Sequence, residues 1–265
     1  MNHLLRALAP ISDDGWSAIS DDAKPRLATY LAARKLVDFN GPAGWEYSAV
    51  DIGRITPIDG PTEGVTAAQR RVLPLVELRT PFTVSRAELS DVDRGAEDVE
   101  FPELDAAAER IAVAENAAVF YGFAAAGIAG ICERSSHEAL ILGPDPKAFP
   151  ARVTQALNRL LGAGINGPYG LAVSPDAYIQ ILETSEAGDL LMDHLGEIVG
   201  GPVVRTPGLR GAVLVSTRGG DFVFDSGEDL SIGYMDHTGD DVRLFFEETF
   251  TFRVLEPDAA VVLSA

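Results

Sequence analysis

The stretch "DIGRITPIDGPTEGVTAAQRRVLPLVELRTPFTV", Asp51 to Val84, decides what kind of fold this chain has. It alternates short β-branched runs with prolines at 57, 61, 74 and 81. Proline interrupts helix, and β-branched residues favour strand, so the spacing predicts two strands joined by a long tip. Such a segment has little apolar surface with which to build a core of its own. An extended arm in an otherwise compact protein needs something to lie on, and a neighbouring subunit is one candidate.

On the N-terminal side, Ser12-Asp13-Asp14 reads as a helix start. Trp16, Ile19, Ala23, Leu27, Leu31 and Arg34 follow at spacings of three or four, the period of an amphipathic helix. Pro25 lies inside this pattern and is expected to kink or split it. On the C-terminal side, "ELSDVDRGAEDVEFPELD" is acidic from Glu88 to Asp105. Its spacing is not that of a calcium loop, and it reads as a solvated loop placing negative charge at a helix N-terminus. Pro102 opens a long helix whose expected stripe is Leu104, Ala107, Ala108, Ile111, Ala118 and Tyr121. A further helix over "FPARVTQALNRLLGAG" shows Val153, Ala156, Leu157, Leu160 and Leu161 on one face. A strand to Val173, a cap at Ser174 and two short helices come next, and then a strand-rich C-terminus from Asp221. There Val242, Leu244, Phe246, Phe250, Phe252 and Val254 share one parity, which predicts a strand with one buried face. Helices mid-chain with strands before and after give an α+β fold with a discontinuous domain, not a regular βαβ repeat.

The bulk numbers exclude several roles. A chain of 265 residues forms one large domain or two modest ones, and 46% apolar with 23% charged is a globular balance. No run of about 18 apolar residues is present to span a membrane. The N-terminal "MNHLLRALAPISDDGW" does not resemble a secretory signal. A single cysteine, Cys132, forbids an internal disulfide framework, and a reducing cytoplasm is the expected home. The net charge is −19, with 21 basic against 40 acidic residues and no basic run. Nucleic-acid binding needs cations that release phosphate counterions, so nucleic acid and anionic membrane are not expected partners.

Catalytic patterns are also missing. "GAGING", Gly162 to Gly167, matches the letters of a dinucleotide loop, but it follows a helix and precedes a strand, the reverse of the order that sets phosphate on a helix N-terminus. Gly162 and Gly164 read instead as a helix C-terminus. There is no nucleophile elbow and no G-x-x-x-x-G-K-[ST] loop. His3, His137, His194 and His237 show no metal-helix spacing. Cys132 follows an alanine-rich run and reads as a small buried hydrophobe. A catalytic residue, a metal and a cofactor are therefore not expected.

Together, "LLRALAPI", "ARKLVDFNGPAGWEYSAV", "ELRTPFTV", "DVDRG", "GINGPYGLAVSPDAY", "STRGGDF", "DLSIGY" and "ETFTF" resemble an encapsulin of the first, ferritin- and peroxidase-loading class, from residue 4 to the C-terminus. The resemblance implies the tailed-phage major-capsid-like fold and a non-enzymatic shell subunit. Copies of it would close into an icosahedral cage, most simply of about sixty, around a cargo enzyme in the bacterial cytoplasm. It further implies a peripheral domain over 1–48 with a cargo-docking helix, and an elongated loop over 49–80. The peripheral domain continues over 81–132 with a spine helix. An axial domain spans 133–220, and C-terminal strands over 221–265 return to the peripheral domain. Two other readings are a defective-phage capsid protein and a soluble hydrolase or bacteriocin, the latter following older labels of the same family.

The same resemblance implies site residues. Cargo enzymes of the family, a dye-decolorising peroxidase or a ferritin-like protein, carry a C-terminal targeting peptide that docks on the inner wall. Here the corresponding wall is Leu27, Tyr30, Leu31, Arg34, Asp38, Leu230, Ile232 and Tyr234. Leu and Ile would form an apolar trough, and Arg34 and Asp38 would fix charged peptide groups. The alternative is that Leu27 and Leu31 face the subunit's own core. "ETSEAGDLLMD" matches the loop lining the five-fold pore, which places Ser185, Glu186, Ala187, Gly188 and Asp189 there. Glu186 and Asp189 would then set a negative ring favouring cations, or form a plain acidic loop tip. Some relatives stack a flavin on a tryptophan that corresponds to Ala87 here, so no flavin is expected.

Overall fold

The computed structural model describes residues 3–186 and 189–265. In chain order the helices are α1 (Asp13–Tyr30), α2 (Arg86–Asp93), α3 (Pro102–Tyr121), α4 (Ile131–Arg134), α5 (Phe149–Gly162), α6 (Pro175–Glu183) and α7 (Leu191–Val199). The strands are β1 (Asp38–Asn40), β2 (Ala49–Ile58), β3 (Ala67–Pro74), β4 (Val76–Ser85), β5 (Leu140–Ile141), β6 (Tyr169–Val173), β7 (Ser185–Glu186), β8 (Asp189–Leu190), β9 (Val203–Arg205), β10 (Ala212–Ser216), β11 (Phe222–Ser226), β12 (Ser231–His237), β13 (Asp241–Val254) and β14 (Ala260–Ser264).

The long strand β13 organises the first sheet. One of its edges pairs with β4, and its other edge pairs first with β12 and then with β11, which carries β1 in parallel. Helices α1, α2 and α3 cover one face, where Ile19, Leu89, Leu104, Ile111, Phe82, Leu244 and Phe246 are buried together. The one-face expectation for β13 falls short, because its residues from 244 to 252 are buried on both faces. The second face is covered by polar and aromatic groups. Arg79 lies over the Phe245 ring at 4.1 Å, and His3 stacks on Trp45 at 3.8 Å with its Nε2 3.3 Å from Glu247.

The second sheet runs β5-β14-β10-β6-β9 and packs with α5 and α7. β14 belongs here, between β5 and β10, so residues 221–265 are divided between two sheets. The reason is visible in "AVVLS", an apolar strand with no alternation, which suits the middle of a sheet buried on both faces.

The opening stretch forms an antiparallel hairpin, β2 with β3, whose strands pair only with each other among the described residues. Nearly every residue beyond Asp51 in β2 is exposed. β4, still inside the expected loop until residue 80, instead pairs with β13 from Val76 onward.

Local chemistry explains the helix ends. "GAGING" closes α5: the Ile165 N–H donates to Leu160 C=O at 2.9 Å and the Gly164 N–H to Leu161 C=O at 3.0 Å, with Gly164 at φ +78°. That is a Schellman closure, sealed by buried Leu160 and Ile165. Ser174 caps α6 through the Ala177 N–H. Pro25 does not split α1, which runs through it as one helix with Pro25 on the exposed side. Tyr121 leaves the expected α3 stripe and is largely exposed, and its hydroxyl accepts the Arg210 N–H at 2.7 Å. Val119 and Phe120 are buried instead. Cys132 packs against the second core, and burial pushes its thiol up to about 12. The thiolate is then scarce at about pH 8. Cys132 is expected to react with Ellman's reagent only after denaturant is added, and rapid labelling of the native chain would contradict this.

Candidate functional site

The first element of the site is a groove of about 200 Å³ between α1 and the start of β12. Ala23, Lys24 and Leu27 of α1 form one bank, Leu230, Ser231 and Ile232 the other, with Phe246 of β13 between and Leu4 and Arg6 at one side. The helical period puts Ser20, Ala23, Lys24 and Leu27 on adjacent turns of one face. The N-terminal segment is fastened beside it, because the Tyr234 N–H donates to Leu4 C=O at 2.8 Å. Arg6 lies over the Trp16 ring at 4.1 Å, and burial lowers its pKa. The groove is an apolar trough with two cations on its rim, suited to aliphatic side chains of a peptide.

The structure therefore brings Leu27, Leu230 and Ile232 together in one groove. Tyr30 and Leu31 are half-buried at the end of α1, where the Leu31 N–H bonds to Leu27 C=O at 2.8 Å. Tyr234 is buried, and its hydroxyl meets His237 Nδ1 at 2.5 Å at the far end of β12. Asp38 sits on β1, away from these, and accepts the Gly220 N–H at 2.5 Å from the turn of "RGGDF".

Arg34 stands behind the groove wall. The sequence period carried α1 through Arg34, but the helix ends at Tyr30 and Arg34 lies in a separate turn, Ala33–Lys35. Asn116 of α3 is the cause. Its Oδ1 accepts the N–H groups of Ala32 at 3.1 Å and Ala33 at 2.9 Å, which a continuing helix would have used itself. Its Nδ2 donates to Tyr30 C=O at 2.9 Å and Pro207 C=O at 3.1 Å. The turn delivers the Arg34 guanidinium to three carboxyl groups. Nε donates to Glu115 at 2.7 Å, Nη1 to Asp229 at 2.5 Å and Nη2 to Glu248 at 2.9 Å. The Phe39 and Phe224 rings lie 4.9 and 5.2 Å from its central carbon.

One cation faces three carboxyls, of which only Asp229, 43% exposed, is open to solvent. Glu115 and Glu248 are fully buried, and each has a second oxygen, Oε1, without a hydrogen-bond partner. Burial first, then the facing Glu115 charge, raises Glu248 well above the usual carboxyl range. Burial raises Glu115 too, against the pull of Arg34. The neutral acid is favoured at both carboxyls in the folded state, where it can donate a hydrogen bond that a bare carboxylate cannot. For Arg34, burial is outweighed by Glu115, Glu248 and Asp229, which fix its positive charge. Asp229 in turn accepts the N–H of Leu230 at 2.8 Å. Arg34 thus acts on the groove through its wall. The sequence signal for this cluster was the polar pair Glu115-Asn116 inside the apolar run of α3.

The strands β7 and β8 form a tight antiparallel pair, Ser185 opposite Leu190 and Glu186 opposite Asp189. Ala187 and Gly188 lie outside the described residues. Ala87 is in the first turn of α2, with its N–H bonded to Ser85 Oγ at 3.1 Å. Among the described residues no group of three metal-ligating side chains converges, and no helix is long and apolar enough to cross a membrane.

Comparison with known proteins gives the geometry its context. A family profile described as an encapsulating protein for peroxidase matches residues 1–251. The chain is 45% identical to a type 1 encapsulin shell protein of Rhodospirillum rubrum, over 99% of this chain and 96% of the relative. It is 41% identical to one of Mycobacterium tuberculosis, over the full length of both. A virus-like particle from Pyrococcus furiosus superposes with a TM-score of 0.64 at 21% identity, covering 94% of this chain and 98% of that one. The capsid of an empty GTA particle does so with a TM-score of 0.53 at 15% identity, covering 89% and 90%. The last two likenesses establish a capsid-type fold.

Proposed function

Because this chain belongs to the type 1 encapsulin shell-protein family, we propose that it is a structural subunit that self-assembles into a closed capsid-like cage around a cargo protein in the cytoplasm. The observation that carries the reading is the β2–β3 hairpin, which pairs with nothing else among the described residues. A heterologous contact, arm of one copy on body of the next, closes a shell when the rotation closes. The two sheets divide the work: the sheet of β13, with α3 as its spine, is the peripheral part, and the sheet of β14 is the axial part. In this reading the 185–190 segment lines an opening in the shell, where the acidic residues Glu186 and Asp189 favour cations. The groove of Leu27, Leu230 and Ile232 receives the cargo's C-terminal peptide, and no flavin is part of the shell.

The chain expressed alone is expected to elute in the megadalton range by light scattering after size exclusion, with hollow spheres in negative stain. A stable peak at the 28.1 kDa subunit mass would end the cage reading. The capsid likeness favours one second reading, a particle that packages nucleic acid. A net charge of −19 opposes it, and the ratio of absorbance at 260 to 280 nm separates the two, a protein-like value supporting the cage.

A further inference from the structure

Asp229 links the buried acid pair behind the groove to one of its banks. Its Oδ1 accepts Arg34 Nη1 at 2.5 Å and the Leu230 N–H at 2.8 Å. Leu230 lies just before the first paired residue of β12, Ser231 opposite Glu247, so no strand partner fixes it. The Ser231 hydroxyl donates to Asp229 C=O at 2.8 Å, which folds the bank around the same residue. The other two acceptors of Arg34 sit on rigid elements, Glu115 on α3 and Glu248 on β13, and both are fully buried. The Phe39 and Phe224 rings flank the cation from β1 and β11. Of the three carboxyls, only the partly exposed Asp229 can turn into water without moving a helix or a sheet. Burial first, and the Asp229 charge among the neighbours, raise both glutamates in the folded state. When both ionise, neither can be hydrated where it stands, so both draw on Arg34 and both repel Asp229.

We propose that the Glu115–Glu248 pair is a proton-operated switch on the groove. With the pair protonated, Arg34 holds Asp229 and the Leu230 bank in place. With both carboxyls ionised, Asp229 turns out to water and the bank loosens. The consequence for cargo rests on the reading of this groove as a peptide dock. Coupling is reciprocal, so a peptide that needs the ordered bank strengthens the pair's hold on its proton, and docking takes protons up. Docking is then tighter in acid and weakens as pH rises. A second titratable side chain touches the same turn: His3 Nε2 lies 3.9 Å from Glu228 and 3.3 Å from Glu247. Arg79 faces Glu247 and Glu77 on that side.

The test uses the full chain and reads two quantities between about pH 5 and 9. The first is hydrogen-exchange protection of residues 228–232 with no peptide present, corrected for the intrinsic exchange rate. The second is affinity for a labelled peptide copying the C-terminus of the protein that co-purifies with the wild-type chain. Protection is expected to fall at least about tenfold across this range relative to α3, and affinity to fall with it. Glu248→Gln, which cannot ionise, keeps both flat to the top of the range. Asp229→Ala, cut at the link, is poorly protected and binds weakly at every pH. His3→Gln keeps the wild-type response. Wild-type protection that is indifferent to pH overturns the proposal. A response that survives in Glu248→Gln overturns it too, and so does one that vanishes in His3→Gln. If Glu248→Gln does not fold, Asp229→Ala decides, because a pH profile matching wild type in that exposed-site variant is equally fatal. A wild-type segment that responds as expected in a chain that binds no peptide at any pH supports the switch and removes the dock reading alone.

Discussion

Arg34→Ala is expected to destabilise the subunit by about 3–5 kcal/mol, the cost of breaking a buried ion pair from one side. At a chain length of this order, each kcal/mol lowers the melting temperature by roughly 2–4 °C, so a drop of about ten degrees is expected at fixed protein concentration. The cost comes from what stays behind. Glu115 and Glu248 remain fully buried, and they lose the cation that faces them both. The guanidinium also leaves the Phe39 and Phe224 rings uncovered. The loss should depend on pH, and the sign follows from linkage. Burial raises both carboxyls in the folded state, while in the unfolded chain they titrate near about 4.3. The folded protein therefore holds protons that the unfolded chain has released. The stability from these groups is whole below about pH 4.3 and is lost as pH rises through the folded-state values. Without Arg34 those values rise further, so the variant's deficit widens with pH. Glu248→Gln, which keeps the shape of the protonated acid, is expected to fold and to flatten the high-pH limb. A melting temperature for Arg34→Ala within two degrees of wild type from pH 5 to 8 would show that the cluster is not under this tension.

Much of this was legible in the sequence wherever short-range chemistry decides. The reversed order around "GAGING" predicted a helix end, and the Schellman bonds at Leu160 and Leu161 are that end. The prolines of the 51–84 stretch predicted an extended arm, and β2 and β3 form it. What stayed hidden depends on partners distant in sequence. The period of α1 runs on through Leu31 and Arg34, and nothing local stops it. Asn116, more than eighty residues away, takes the N–H groups that would have continued the helix. In the same way the alternation in β13 displays one apolar parity, while the burial of its other face depends on Arg79 and His3 arriving from elsewhere. The family resemblance places Arg34 on the peptide wall by its position in the sequence, which does not show what the side chain itself pairs with. Its three carboxyl partners lie on α3, on β13 and in the loop before β12, and no spacing rule joins them.

Leu27→Asp combined with Leu230→Asp is expected to weaken cargo-peptide binding by a hundredfold or more while leaving the shell intact. The two leucines line opposite banks of one groove and are only partly buried, so a carboxylate at either site stays in contact with water. Each substitution removes an aliphatic wall worth about 1.5–3 kcal/mol to a side chain that fills it, and roughly 1.4 kcal/mol is tenfold in affinity. Ile232 is the less useful target, because it is nearly buried within the first core and its loss would confound folding with binding. The probe is a labelled peptide copying the C-terminus of the protein that co-purifies inside wild-type shells. Binding is read by fluorescence anisotropy, and shell integrity by light scattering on the same sample. Intact shells that no longer bind the peptide would locate the dock on these two banks. Intact shells that bind it as tightly as wild type would mean that the groove belongs to the subunit's own packing. The peptide would then be held elsewhere, and Arg34, which reaches Leu230 through Asp229, would serve the fold alone.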